Sequence, residues 1–220
     1  MASSPKRSSV FPPLYVICDA DRCERAGWSL VDFALACVDG GARLLQIRAK
    51  HAGARWLLDR SATIVARTAA AGAMVIINDR ADVARMAGAA GVHVGQDDLP
   101  PVAVRRLVGD AALVGLSTHT PAQIACALRE PISYLAVGPT FVTATKDTGY
   151  DAVGLGRVAD AARAAAPQGI PVVAIGGMTL ERAASAIDAG AWAVAVIGDL
   201  LATGDPRARV RDYLRVLSKV

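Results

Sequence analysis

The stretch "MVIINDRADVARMAGAAGVHV", residues 74–94, opens on an apolar run from Met74 to Ile77, breaks into Asn78, Asp79 and Arg80, and closes on a second short apolar run over 91–94. Two such runs flanking a helical pattern predict strand, helix, strand. Parallel strands joined by a helix form a right-handed βαβ unit. The unit recurs along the chain, with strands predicted at "LYVIC" (14–18), "RLLQI" (43–47), "MVIIN" (74–78), "GVHV" (91–94), "LVGLS" (113–117), "YLAVG" (134–138), "PVVAI" (171–175) and "AVAVI" (193–197), eight in all. Amphipathic segments lie between them. "ARWLLDRSATIVARTAAAG" closes on Gly72 and "TLERAASAIDAG" on Gly190, as helix C-termini commonly do. Eight units in roughly 200 residues fit a closed (β/α)8 barrel better than an open doubly wound sheet.

With 53% of its 220 residues hydrophobic, the chain can bury a core of its own, and nothing in its length requires a second domain. We expect a loose polar tail over residues 1–13 and one barrel over 14–220. No apolar run approaches the roughly 20 residues of a membrane span, and "MASSPKRSSVFPPL" lacks the apolar centre of a secretory signal, so a cytoplasmic location is expected. The four cysteines (Cys18, Cys23, Cys37 and Cys126) have no C-x-x-C spacing, which favours reduced, mostly buried thiols over zinc. A net charge of +4, spread without interleaved aromatics, argues against nucleic acid and suits small anions.

A parallel barrel keeps its active site at the carboxyl ends of the strands. The residues delivered there are Asp19; Gln46, Arg48 and Lys50; Asn78, Asp79 and Arg80; Gly95, Gln96, Asp97 and Asp98; Ser117, Thr118 and His119; Thr143, Thr145 and Lys146; Gly176 and Gly177; and Gly198 and Asp199. Helix N-capping accounts for Asp19, Thr179 and Asp199 individually. It accounts poorly for several cations and two carboxylates converging on one rim. Gln46, Arg48 and Lys50 alternate, so in extended chain they face one way and present three donors to phosphate oxygens. Asp79 follows the third strand and Asp97 or Asp98 the fourth. Paired carboxylates beside a phosphate clamp suggest Mg²⁺. The alternative is a general acid/base pair, disfavoured because neighbouring cations keep both carboxylates ionised. The glycines of "AIGGM" and "VIGD" expose backbone N–H groups where barrels commonly hold a phosphate. A pyrophosphate clamp and a separate monophosphate pocket point to two phosphorylated substrates joined with loss of pyrophosphate.

"LLQIRAK", "INDRADVARMAGAAGVHVGQDDLP", "GLSTHT", "AVGPTFVTATKDT" and "VVAIGGM" resemble, in order, the motifs of the thiamine phosphate synthase family, over about residues 14 to 200. The resemblance implies a (β/α)8 TIM barrel that condenses hydroxymethylpyrimidine pyrophosphate with a thiazole phosphate, giving thiamine monophosphate and pyrophosphate. It implies that Gln46, Arg48, Lys50, Asn78, Ser117 and Lys146 bind the pyrimidine pyrophosphate, with Arg48, Lys50, Ser117 and Lys146 acting in catalysis. It further implies that Asp79 and Asp98 hold Mg²⁺, and that Thr143, Thr145, Gly177, Ile197 and Gly198 hold the thiazole phosphate. No covalent nucleophile is required. Ser117 reads equally as a cap for the helix near Pro121, and His119 stays ambiguous. Two departures stand out: Ala49 where the family usually has Glu, and Gly198 where it often has Ser, which should weaken thiazole phosphate binding. The rivals are the related thiazole tautomerase, disfavoured by Lys146, Asp79 and Asp98, and a non-catalytic phosphoryl-ligand sensor. A homo-oligomer fits such barrels, although no interface is visible in the sequence.

Overall fold

The computed structural model describes residues 11–142 and 149–219. Its eight parallel strands close in sequence order, each hydrogen-bonded to the next and β8 to β1. They are β1 (Leu14–Asp19), β2 (Leu44–Arg48), β3 (Met74–Asn78), β4 (Gly91–Val94), β5 (Leu113–Thr118), β6 (Tyr134–Val137), β7 (Val172–Ile175) and β8 (Ala193–Val196). The helices are α1 (Ala20–Arg25), α2 (Leu30–Asp39), α3 (Ala54–Thr68), α4 (Ala81–Met86), α5 (Pro101–Val108), α6 (Pro121–Ala127), α7 (Gly154–Ala165), α8 (Leu180–Asp188) and α9 (Pro206–Leu217). This is the TIM barrel expected from the repeated unit. None of these helices is long and apolar enough to cross a membrane.

Strand alternation sorts the core into two layers. Leu14, Val16 and Cys18 of β1, Leu45 and Ile47 of β2, and Val75 and Ile77 of β3 face the helices, as do Val92, Val94, Val114, Leu135, Val137, Val194 and Val196. Their neighbours in sequence face the barrel interior: Tyr15, Ile17, Leu44, Ile76, Tyr134, Ala136, Val173, Ala193 and Ala195. The same parity carries Asp19, Gln46, Arg48, Asn78, His93 and Ser117 inward. The upper interior is therefore polar because these strands end in polar residues on their inward parity, and the site lies there.

Packing reaches at least three residues before the predicted boundary. Phe11 belongs to the interior cluster, its ring centroid 5.1 Å from that of Tyr134, and its carbonyl accepts from Trp192 Nε1 at 2.9 Å. The expectation of a loose tail reaching residue 13 is corrected accordingly: an aromatic that plugs the barrel floor buries too much apolar area to stay in water. Cys18, Cys23 and Cys37 are buried and Cys126 is exposed. Burial lifts the Cys23 thiol to about 12 and pushes Cys18 and Cys37 up as well, which makes all three unreactive.

Candidate active site

The rim has two halves that meet at Ser117. Over the first strands, charge is paired tightly. Arg48 at the end of β2 donates to Asp19, whose other oxygen caps α1 by accepting from Arg22 N at 3.0 Å. Lys50 Nζ lies 2.5 Å from Asp79 Oδ2. Asp79 is the single non-glycine among the described residues with positive φ, +62°, and its N–H donates to His93 O at 2.7 Å. A non-glycine residue in the left-handed region is uncommon, and such strain collects at functional sites. Here it turns the carboxylate back over β3 toward Asp98.

Asp98 accepts from Gly95 N at 2.7 Å and lies beside the Asp79 carboxylate, whereas Asp97 is exposed. The geometry thus selects Asp98 over Asp97 as the partner of Asp79. Burial pushes the Asp79 carboxyl above the usual carboxylate range; Lys50 pulls it back, and Asp98 pushes it up again. Two hard-oxygen donors pressed together at this cost fit Mg²⁺, which takes one or two carboxylates and completes its sphere with water and phosphate oxygens. Among the described residues there is no cluster of three or more His, Cys, Asp or Glu that could hold a metal. Asn78 ends β3 half-buried, in register with His93. Arg80 stands at the N-cap of α4 and pairs with Asp82 through Nε at 2.9 Å and Nη2 at 2.6 Å, so it braces the helix start and leaves Asp79 to Lys50.

Over the last strands lies a cavity of about 350 Å³, lined by Ser117, His119, Gly138, Gly177, Arg182, Ile197 and Gly198 among others. Gly177 has φ +61°, and a Cβ there would stand 2.6 Å from Val142 O and 2.8 Å from Phe141 O, so only glycine makes this wall. Arg182 Nη1 donates to Gly177 O at 2.6 Å and its guanidinium sits 4.8 Å over the Phe141 ring, which fixes the turn from behind. Gly198 opens a single 3-10 turn, Gly198–Leu200. Asp199, expected as an N-cap, instead accepts from Arg209 Nε (2.9 Å), Arg209 Nη2 (3.1 Å) and Tyr213 OH (2.6 Å), so it ties that turn to α9. Thr143, Thr145 and Lys146 lie outside the described residues.

Ser117 does not cap α6. Thr120 does, in a full capping box with Gln123. Ser117 Oγ instead lies 2.8 Å from His93 Nε2. His93 Nδ1 is 2.9 Å from Tyr134 OH, Tyr134 OH is 2.8 Å from Tyr15 OH, and Gln46 Nε2 donates to Tyr15 OH at 2.8 Å. His93, Tyr134 and Tyr15 were missed as polar participants because they sit inside strands that read as apolar. The signal available was parity: each lies on the inward face. His119 Nδ1 donates to Gly138 O at 2.5 Å and its ring stacks on Tyr150 at 4.1 Å, so this side chain bridges the loops after β5 and β6.

The family model described as thiamine monophosphate synthase matches residues 14–200. The chain belongs to this family. It is 44% identical over 209 residues to a thiamine-phosphate synthase of Koribacter versatilis, covering 94% of this chain and 96% of that protein. It is 40% identical over 206 residues to one of Roseiflexus castenholzii, covering 94% and 88%. A solved thiamine phosphate pyrophosphorylase from Pyrococcus furiosus superposes with a TM-score of 0.83 at 26% identity, over 94% of this chain and 95% of that one. Within a thiamine monophosphate synthase barrel, the two-part rim acquires a natural division: paired charge over β1–β4, a glycine-walled cavity over β5–β8, and Ser117 at the seam.

Proposed function

We propose that the protein condenses 4-amino-2-methyl-5-hydroxymethylpyrimidine pyrophosphate with thiazole phosphate, giving thiamine monophosphate and pyrophosphate. The observation that carries this reading is the rim itself, with Asp79 set between Lys50 and Asp98 on one side and the Gly177 and Gly198 cavity on the other. In the reaction the C–O bond to the pyrimidine methylene breaks and pyrophosphate leaves with the electron pair. The thiazole nitrogen lone pair then forms the C–N bond, and no proton need be removed from the nucleophile. Lowering the charge on the departing anion is the main task of catalysis.

Asp79 and Asp98 would hold Mg²⁺, which supplies charge neutralisation on pyrophosphate oxygens. Arg48, Lys50 and Lys146 bind the same anion, and Asn78 and Gln46 orient the pyrimidine. Arg48 and Lys50 already carry carboxylate partners, so they are preorganised and need no ordering on binding. Ser117 points a hydroxyl into the seam between the leaving group and the acceptor. The thiazole phosphate is held by the backbone N–H groups at Gly177, Ile197 and Gly198 and by the Thr143 and Thr145 hydroxyls. A cytoplasmic location and a homo-oligomeric assembly belong to the same proposal.

The test is pyrophosphate release from purified protein, with each substrate omitted in turn and with Mg²⁺ or chelator. Release that requires both substrates and metal supports the synthase. Conversion of a thiazole phosphate isomer alone, or binding without turnover, would move the reading to the tautomerase or the sensor.

A further inference from the structure

Gln46 and Ser117 stand on β2 and β5, well apart around the barrel, yet Tyr15, Tyr134 and His93 connect them through its interior without a break. Each link is 2.8 or 2.9 Å. Tyr15 and Tyr134 are 1% and 0% exposed, so neither hydroxyl can turn to water instead. A buried hydroxyl left without an acceptor costs about 1–3 kcal/mol, which makes the direction of each bond a matter of accounting.

The Gln46 amide nitrogen donates to Tyr15 oxygen. The Tyr15 hydrogen then needs an acceptor, and among the described residues the partner within reach is Tyr134 oxygen. Tyr134, accepting from Tyr15, donates to His93 Nδ1. A neutral imidazole whose Nδ1 accepts carries its hydrogen on Nε2, and that hydrogen faces Ser117 Oγ. Ser117 therefore accepts from His93, and its own hydrogen is left to point into the cavity that it lines. With the opposite polarity Ser117 would donate to His93, and His93 would act as its base. The Tyr15 hydrogen would then meet the Gln46 amide nitrogen, itself a donor, and would find an acceptor only if that amide turned over to present its oxygen.

We propose that Tyr15, Tyr134 and His93 are positioning residues forming a one-way hydrogen-bond chain that holds His93 as the Nε2–H tautomer and presents Ser117 to the substrate as a hydrogen-bond donor, never as a nucleophile. The proposal rests on the synthase reading for the role of Ser117. The direction of the chain does not.

Two measurements on the full-length protein test it. First, NMR of histidine-¹⁵N-labelled protein reads the tautomer directly, with the His93 ring resonances identified by their loss in His93→Gln. The expected pattern is a protonated Nε2 and an unprotonated Nδ1. Second, Tyr134→Phe removes the donor to Nδ1. It should let the second tautomer appear in the same spectrum and lower kcat for pyrophosphate release by about tenfold, with KM for thiazole phosphate within about twofold. In a Ser117→Ala background the same change should cost nothing further, because the chain acts through Ser117.

An active wild-type enzyme with Nδ1 protonated overturns the chain and leaves the synthase reading intact. Equal losses from Tyr134→Phe with and without Ser117 also overturn it, since a merely structural tyrosine would behave that way. A wild type that releases no pyrophosphate overturns the synthase reading and, with it, the role given to Ser117, whatever the tautomer. If Tyr134→Phe fails to fold, the wild-type spectrum still decides the direction.

Discussion

Gly115→Ala tests whether the buried chain is coupled to packing as tightly as its geometry demands. In the barrel register Gly115 sits between His93 on β4 and Tyr134 on β6, on the inward parity of β5. A Cβ there would stand 2.5 Å from His93 Nδ1 and would overlap the Tyr134 Cζ and hydroxyl outright. Neither neighbour is the loose end of a flexible chain: Tyr134 is fully buried against Phe11 and Tyr15, and His93 is 6% exposed. Overpacking of this kind costs about 1–3 kcal/mol. Prying the Tyr134 hydroxyl from Nδ1 adds roughly 1 kcal/mol for a buried hydrogen bond, so the total is about 2–4 kcal/mol. At about 2–4 °C per kcal/mol for a chain of this size, Tm should fall by roughly 5–15 °C. The assay pairs thermal denaturation by circular dichroism with pyrophosphate release at a temperature where the variant stays folded; kcat should drop about fivefold or more. Gly156→Ala is the control. Its Cβ meets nothing within 4 Å and it lies in α7, so the change should raise stability by about 0.5–1 kcal/mol. A Gly115→Ala protein melting within about 2 °C of wild type would refute the packing argument. One that melts early but turns over normally would show that the Tyr134–His93 junction has no bearing on the chemistry.

Further outcomes follow from the rim. Asp79→Asn should abolish Mg²⁺-dependent pyrophosphate release yet stabilise the metal-free protein above the carboxylate range. The folded Asp79 pKa is raised, so its contribution is present at low pH and lost as pH rises through that value; asparagine removes this loss and tolerates φ +62°. Melting curves against pH in chelator check it, and a less stable variant at neutral pH would count against the burial argument. Gly177→Ala should raise KM for thiazole phosphate at least tenfold, with a smaller effect on the pyrimidine substrate, because its Cβ collides with two carbonyls and distorts the cavity wall; equal effects on both substrates would contradict the two-part division. Gly198→Ser should lower KM for thiazole phosphate by about fivefold, since the hydroxyl adds a donor at the opening of the turn; steady-state kinetics with the thiazole phosphate varied decides. Tyr213→Phe removes the 2.6 Å bond to Asp199 and should cost about 1–2 kcal/mol in denaturant unfolding.

What the sequence revealed and concealed divides along the barrel wall. The strands were legible because their outward faces are mostly Val, Ile and Leu ended by a change in polarity, and Lys50, Asp79 and Gly177 could be placed at the rim because they sit just past that change, where a parallel barrel has its site. Which of Asp97 and Asp98 turns inward was not legible. That depends on a positive φ at Asp79 and an N–H from Gly95, neither of which has a signature in residue type. His93, Tyr15 and Tyr134 were hidden for a different reason. In "GVHV", "LYVIC" and "YLAVG" they pass for members of an apolar strand, and burial of a polar ring is normally the mark of a satisfied core residue. What distinguishes them is that all three share the inward parity of their strands and that Gly115 leaves between them the space a side chain would have filled. Inward parity can be counted from sequence once the strands are fixed, but contact between parities on different strands cannot, because it depends on barrel shear. The glycine in "LVGLS" was therefore the visible trace of the chain: a β-branched residue would suit that strand better, and its absence marks where two aromatic neighbours on flanking strands had to meet.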